Sequence, residues 1–380
     1  MIARASSRGA AATASRLFAP LTIRGLTVRN RVWLSPMCQY SVEAMDGVPS
    51  DWHLVHLGAR AAGGFGLVMA EATAVDPVGR ISPQDTGLWS DIQAVAWRRI
   101  AEFVHSQGAA IGIQLAHAGR KASTYALHAP HRGAVPMEEG GWQTWGPTTT
   151  PLPGLPAPHA MTLDDIGTVV EAFGDAAERA HWAGFDVVEL HAAHGYLIHQ
   201  FLSPLSNHRT DAYGGDFEAR SLFATEVVKS VRRRWPAHKP LFMRLSGTEW
   251  VDGGWDTADC ARLAALVEPL GVDLIDASSG GVGPAGGIAV GPGYQVPFAK
   301  EIRERAGIPT AAVGLIVEAT QADEVLASGA ADAVFIGRAA LRDASWPLRA
   351  GHELGLDRDT LPYPPQYLRG AWRHPRAATI

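Results

Sequence analysis

Asp186-Val187-Val188-Glu189-Leu190-His191-Ala192-Ala193-His194-Gly195-Tyr196 is the stretch whose reading decides the fold. Gly184 stands just before it, where a helix would end, and a mostly apolar run follows without strict alternation. Such a run suits a parallel strand covered on both faces. It then gives way to His191, His194 and Tyr196, polar residues at the strand's exit. Seven further segments share this form: 31–37, 67–73, 109–117, 240–248, 273–279, 309–316 and 333–338. Gly66, Gly108, Gly271, Gly307 and Gly329 precede five of them, again at helix-ending positions.

The intervening segments carry helix signals. Thr162 with Asp165 three residues on fits a capping box. Behind it Ile166, Val169, Val170, Phe173, Ala177 and Ala180 share one helical face. Asp91 opens a run with Val95, Ile100 and Val104, and Thr257 one with Ala261, Leu263, Leu266 and Leu270. Segments 318–326 and 339–348 supply the last two helices. Eight strand–helix units predict an α/β protein, a single (β/α)8 TIM barrel. An open doubly wound sheet fits less well, because no Gly-x-Gly-x-x-Gly follows the first strand. Residues 128–159, rich in Pro, Gly and Trp, fit no unit and predict a long lid loop after strand three.

The chain has 380 residues and a formal net charge of −5, which gives no basic excess for a nucleic-acid partner. Two cysteines, Cys38 and Cys260, cannot build a disulfide framework or a four-thiolate metal site. No apolar run is long enough to cross a membrane, and a cytoplasmic enzyme is expected. Six arginines precede the first acidic residue, Glu43, and the first fourteen residues are rich in Ala, Ser and Arg. That composition fits an organelle transit peptide, but its shortness favours a plain disordered extension over 1–15. Residues 16–380 are expected to form one barrel with its C-terminal tail.

In a barrel of this kind the site lies where strands end. Those points carry Ser35-Pro36-Met37-Cys38-Gln39-Tyr40, Ala70, Gln114 with His117, His191 with His194 and Tyr196, Arg244, Ser278-Ser279, Gly314, and Gly337-Arg338. Buried strand ends carry so many polar groups only where something pairs with them. Gly314, Gly337 and Arg338 fall on strands seven and eight, the usual phosphate position of the fold. Arg244 places positive charge beside an anionic ring, so the set suits a phosphorylated, planar, electron-accepting cofactor. Plainer readings stand beside this one. His191 and His194 have a spacing that permits metal, without an HExxH or a third ligand. Cys38 fits a small buried hydrophobe, Cys260 inert core, and Tyr196 simple packing. Trp142 and Trp145 read equally as lid anchors or surface packing, and Asn207, Arg209, Asp211 and Arg220 as a structural loop network.

Several motifs in order carry a resemblance. They are Leu17-Phe18-x-Pro20 with Asn30-Arg31, Ser35 to Tyr40, Gln114-Leu-x-His117-x-Gly119-Arg120, His191 to Tyr196 running on to Pro204, Asn207-x-Arg209-Thr210-Asp211-x-Tyr213-Gly214-Gly215, and Gly314 with Gly337-Arg338. Together they make the chain resemble the old yellow enzyme family, in the bacterial-type, thermophilic-like subgroup that bears an active-site cysteine. The resemblance implies non-covalent FMN, with NADPH as reductant and NADH as an alternative, and reduction of the activated C=C bond of an enone. It implies that Ser35, Pro36, Met37, Cys38, Ala70 and His191 lie against the flavin and that Gln114 and Arg244 bind its polar edge. Gly314, Gly337 and Arg338 would hold the phosphate. It further implies that His191 and His194 bind the substrate carbonyl, that Tyr196 donates the proton, and that Tyr40 and Cys38 touch substrate. The segment Tyr367-Leu368-Arg369-Gly370 resembles one that reaches a neighbouring subunit's site, which implies Arg369 acting in trans in a homodimer or homotetramer. Two other classes stay open: a flavin-binding redox sensor using Cys38, and a cofactor-free barrel lyase. The lyase lacks a Schiff-base lysine at a strand end, Lys121 being the nearest.

Overall fold

The computed structural model describes residues 15–281, 288 and 290–373. The expected N-terminal extension, apart from Ser15, lies outside the described residues, as does the end of the C-terminal tail. Eight parallel strands form a closed barrel: β1 (Val32–Leu34), β2 (Leu67–Ala74), β3 (Ala110–Ala116), β4 (Val187–Ala192), β5 (Leu241–Ser246), β6 (Leu274–Ser278), β7 (Thr310–Ala312) and β8 (Ala333–Ile336). Closure joins β8 to β1 through Val334 opposite Val32 and Ile336 opposite Leu34. The strand residues are mostly apolar and all are buried, the polar ones being spread over β2 to β7. The ring of helices comprises α1 (Asp51–Ala62), α2 (Asp91–Ser106), α3 (Leu163–Trp182), α4 (Phe217–Arg234), α5 (Thr257–Val267), α6 (Val296–Ala306), α7 (Ala319–Ala327) and α8 (Trp346–Glu353). None of the described helices is long and apolar enough to cross a membrane.

The expected capping box holds α3: Asp165 N–H donates to Thr162 Oγ1 at 3.1 Å, and Thr162 N–H to the Asp165 carboxylate at 2.8 Å. Such caps contribute about 1 kcal/mol each. The barrel floor is apolar and aromatic, with Trp33 stacked on Phe242 at 5.7 Å and edge-on to Phe335 at 5.4 Å. An antiparallel hairpin, Leu21–Ile23 with Leu26–Val28, packs Ile23 and Val28 against that floor. Among the described residues the buried charged side chains of the strands, Glu71, Glu189, Arg244 and Asp276, lie above this apolar floor.

Three expectations need correction. Segment 339–348 is two helices, Arg338–Arg342 and α8, because the Asp343 carboxylate accepts from Ser345 N–H and Pro347 starts a new helix. Val95 and Leu266 face solvent, since Ala94, Trp97 and Ile100 make the buried stripe of α2 and Leu263, Ala264 and Val267 that of α5. Gly66 is not a left-handed helix end. It is glycine for closeness, since a Cβ there would stand 2.5 Å from Asn30 Oδ1. Within the expected long loop over 128–159 a short pairing also forms, Trp145–Gly146 with His159–Ala160. The excursion lies over the strand-exit end, with the His128 ring 6.3 Å from that of Tyr40. Trp142 and Trp145 anchor it. Trp142 Nε1 donates to Val78 O at 2.8 Å, and Trp145 stacks on His117 at 6.2 Å.

Candidate active site

A buried polar layer crosses the barrel just below its mouth. Arg244 on β5 sits opposite Asp276 on β6 in register, and its Nε lies 3.0 Å from Asp276 Oδ2. Arg244 Nη2 donates to Ser35 Oγ at 3.2 Å, and Gln114 Nε2 on β3 donates to Glu189 Oε1 at 2.7 Å. Burial and the Asp276 charge push the Glu189 carboxyl up, against Arg244 and Gln114. Burial likewise raises Asp276, with Arg244 opposing it. The fold thus brings Ser35, Gln114 and Arg244 together through two acids, Glu189 and Asp276.

Above this layer β4 ends in the histidines. His191 and His194 stand edge-on with ring centroids 5.1 Å apart, and the Tyr196 ring is edge-on to His191 at 4.7 Å. Ala193 N–H donates to His191 Nδ1 at 3.3 Å, which puts the His191 proton on Nε2. Ser278 Oγ meets His194 Nε2 at 2.7 Å and leaves Nδ1 as its other ring nitrogen. Burial, then the charges of Arg244 and Lys121, hold His191 well below the ordinary histidine range. Burial, His191 and Arg244 do the same to His194. Both rings are therefore neutral at working pH. Among the described residues no group of three or more His, Cys, Asp or Glu side chains is placed to hold a metal.

Tyr196 packs with Cys38 and Tyr40 on a small apolar wall that includes Ala72 and Ile81. Burial, Cys38 and Asp85 push the Tyr196 phenol well above its usual value, so it keeps its proton. Burial also raises the Cys38 thiol, with Asp85 and Glu71 adding to it, and raises Tyr40. The loop that carries these residues is tied from below. The β2–β3 register slips between Ala70 and Ala72, which makes Glu71 the extra residue of a bulge. Glu71 then accepts from Gln39 N–H at 2.7 Å and lies 3.0 Å from His53 Nε2. Ala70 itself stays fully buried on β2.

A cavity of about 210 Å³ opens beside the histidines, lined by His194, Ser278, Gln295, Gly314, Gly337 and Arg338 among others. Gly314 has φ +122°, and a Cβ there would press to 3.0 Å from Gln295 Nε2. A Cβ on Gly337 would meet Met37 Sδ at 3.8 Å and Ser35 Cβ at 3.9 Å, which places Met37 and Ser35 beside this lining glycine; Pro36 between them is buried. Gln295 is held rigidly, accepting from Ser279 Oγ at 2.5 Å and donating to Val313 O at 3.2 Å. Arg369 is not brought to the site within one chain. It is exposed in the turn Pro365–Gly370. Asn207, Arg209 and Asp211 are joined to one another, Arg209 N–H donating to Asn207 Oδ1 at 3.1 Å and Arg209 Nε to Asp211 Oδ1 at 3.0 Å, whereas Arg220 is tied separately, its Nε donating to Leu202 O at 2.8 Å. Cys260 is core, accepting from Trp255 Nε1 at 3.0 Å.

Residues 16–357 match the model of the NADH:flavin oxidoreductase / NADH oxidase family. The chain belongs to that family. It is 49% identical over 358 residues to an NADPH dehydrogenase of Geobacillus thermodenitrificans (strain NG80-2), covering 94% of this chain and 98% of that one. It is 45% identical over 358 residues to the NADPH dehydrogenase of Bacillus subtilis (strain 168), covering 94% and 99%. The old yellow enzyme homologue of Zymomonas mobilis superposes with a TM-score of 0.75 at 28% identity, covering 94% and 99%. This member of the old yellow enzyme family is an oxidoreductase with FMN as cofactor and NADPH or NADH as reductant. The residues present fit FMN. The cavity lined by Gly314, Gly337 and Arg338 has two glycines and a cation suited to a phosphate, and the Gln114–Arg244–Ser35 layer has buried polar groups suited to a ring edge.

Glu71, Asp85, Glu189, Asp276 and Gln295 stand at the candidate site without having been singled out in the sequence. Glu189 and Asp276 had a signal, being acids inside otherwise apolar strand runs.

Proposed function

We propose that the protein reduces the activated C=C bond of α,β-unsaturated carbonyl compounds in a ping-pong cycle. The observation that carries the reading is the neutral His191–His194 pair with protonated Tyr196 beside it, at the mouth that also holds the phosphate-sized cavity. Bound FMN would supply the hydride relay between the nicotinamide and the substrate β carbon. Ser35, Pro36, Met37, Cys38, Ala70 and His191 would lie against it, Gln114 and Arg244 would bind its polar edge, and Gly314, Gly337 and Arg338 its phosphate.

The chain's own side chains do the rest. His191 through Nε2 and His194 through Nδ1 would donate to the substrate carbonyl oxygen. Negative charge grows there as the β carbon receives hydride, and one such donor is worth about 3–4 kcal/mol. Tyr196 keeps its proton until that charge forms and then gives it to the α carbon. Tyr40 would touch the substrate beside Cys38, and the excursion over 128–159 would act as a lid that excludes water. Arg369 would enter a neighbouring subunit's site in a homodimer or homotetramer.

The sensor reading through Cys38 is weakened because its raised thiol is held in the protonated, less reactive form. The lyase reading is weakened because the Lys121 ammonium is engaged by two carbonyls. The test is Tyr196→Phe followed by stopped-flow. Reoxidation of the reduced enzyme by cyclohexenone should slow by about 10²–10⁴-fold more than reduction by NADPH. Equal rates for variant and parent in the enone step would end the proposal.

A further inference from the structure

We infer that Lys121 is a positioning residue for Tyr196 and His194, joining three loops of the mouth and setting how readily Tyr196 releases its proton. The inference rests on the proposed role of Tyr196. Lys121 follows β3 at the end of the turn Gly119–Lys121. Its ammonium donates to His194 O, after β4, at 2.7 Å and to Gly281 O, after β6, at 3.3 Å. It also lies 5.1 Å from the centroid of the Tyr196 ring.

The His194 peptide needs such a clamp. Its φ of +59° is a left-handed conformation that residues with a side chain seldom adopt. Its N–H donates to Ser246 Oγ at 3.0 Å and its carbonyl receives Lys121, so the strained peptide is held at both ends. Gly281 comes so close that a Cβ on it would stand 2.0 Å from the His194 carbonyl carbon. Removing the ammonium frees both carbonyls at this contact.

The charge has a second effect. Both described hydrogen bonds of Lys121 go to neutral carbonyls; burial and the neighbouring Arg120 charge lower its pKa to about 8, so the ammonium is still the main form at pH 7. A cation over an aromatic face is attracted to it, and more strongly once the ring is a phenolate. The groups facing Tyr196 are Cys38 and Tyr40 from the loop after β1, Asp85 from that after β2, His191 on β4 and Lys121. Burial, Cys38 and Asp85 hold the proton on Tyr196, and Lys121, 5.1 Å from the ring centroid, is the nearby cation whose charge would favour the phenolate. The same charge helps keep His191 and His194 neutral.

The test places 3-fluorotyrosine at position 196 of the FMN-loaded protein and follows its ionisation by ¹⁹F NMR. Lys121→Met should raise the midpoint by about one unit, and Lys121→Arg should restore most of the shift. In stopped-flow, Lys121→Met should slow reoxidation by cyclohexenone about tenfold more than reduction by NADPH. An unmoved midpoint would overturn the inference, as would equal slowing of both half-reactions accompanied by FMN loss. Tyr196→Phe is the control that separates the two claims. If it leaves the enone step untouched, the proposed function falls. If it slows that step while Lys121→Met does not, only the role of Lys121 falls.

Discussion

Gly281→Ala should cripple the enone step while leaving FMN in place. Gly281 has φ +131°, a region open almost only to glycine, where a side chain costs about 1–3 kcal/mol. The new Cβ would stand 2.0 Å from the His194 carbonyl carbon and 2.3 Å from Gly195 N. Non-bonded carbon atoms rest at about 3.5–4.0 Å, so the two loops must part by roughly 1.5 to 2 Å. That displacement falls on the His194 peptide, whose ring is pinned to Ser278 and whose N–H is pinned to Ser246. A misplacement of about 1 Å lowers a rate by roughly 10²-fold. The assay is anaerobic reduction with NADPH followed by mixing with cyclohexenone, with flavin content read from the visible spectrum. Reoxidation slowed by about two orders of magnitude with full flavin is the expected result. Parental reoxidation in a folded Gly281→Ala protein would refute the claim that this loop contact sets the histidine geometry.

Three other outcomes follow from the structure. Gly314→Ala forces a side chain into φ +122° beside Gln295, and FMN should dissociate about tenfold more readily, as measured by flavin fluorescence on dilution. A parental FMN Kd would remove Gly314 from the phosphate cradle. The His105 ring lies 2.7 Å from Asp186, and that hydrogen bond raises its pKa above the ordinary 6.5. Its contribution to stability is full below the unfolded value and fades as pH rises through the folded one. The melting temperature of His105→Gln should therefore fall below the parent's at pH 5.5 and meet it at pH 9; an equal gap at both would contradict this. Arg369→Ala should raise KM for the enone if the tail enters a neighbouring site, and unchanged kinetics in an oligomer of parental size would remove that role.

All eight strands were legible because each is buried on both faces, and burial of that kind writes an unbroken apolar run. The site was legible where a motif ends a strand, as at His191, His194 and Gly314. The polar layer was harder to see. Glu189, Arg244 and Asp276 each look like one misplaced charge, and only the register puts Arg244 opposite Asp276 and Gln114 within reach of Glu189. Glu71 was hidden for a similar reason, since a bulge turns its side chain and no local pattern announces the slip. Val95 and Leu266 misled because one apolar residue off the buried stripe looks the same in sequence as one on it. Lys121 lies just past a strand end, and the carbonyls it clamps belong to loops from distant parts of the chain.

The pairing of β8 with β1 has a consequence for when the protein becomes a holoenzyme. The first strand emerges early in synthesis and has no partner on one side until the last strand exists. Ser35 and Met37 follow the first strand, whereas Gly314, Gly337 and Arg338 follow the seventh and eighth. No nascent chain ending before Arg338 contains both ends of the proposed cofactor seat. On that seat FMN loading would be a late event, following translation past the barrel's last strand.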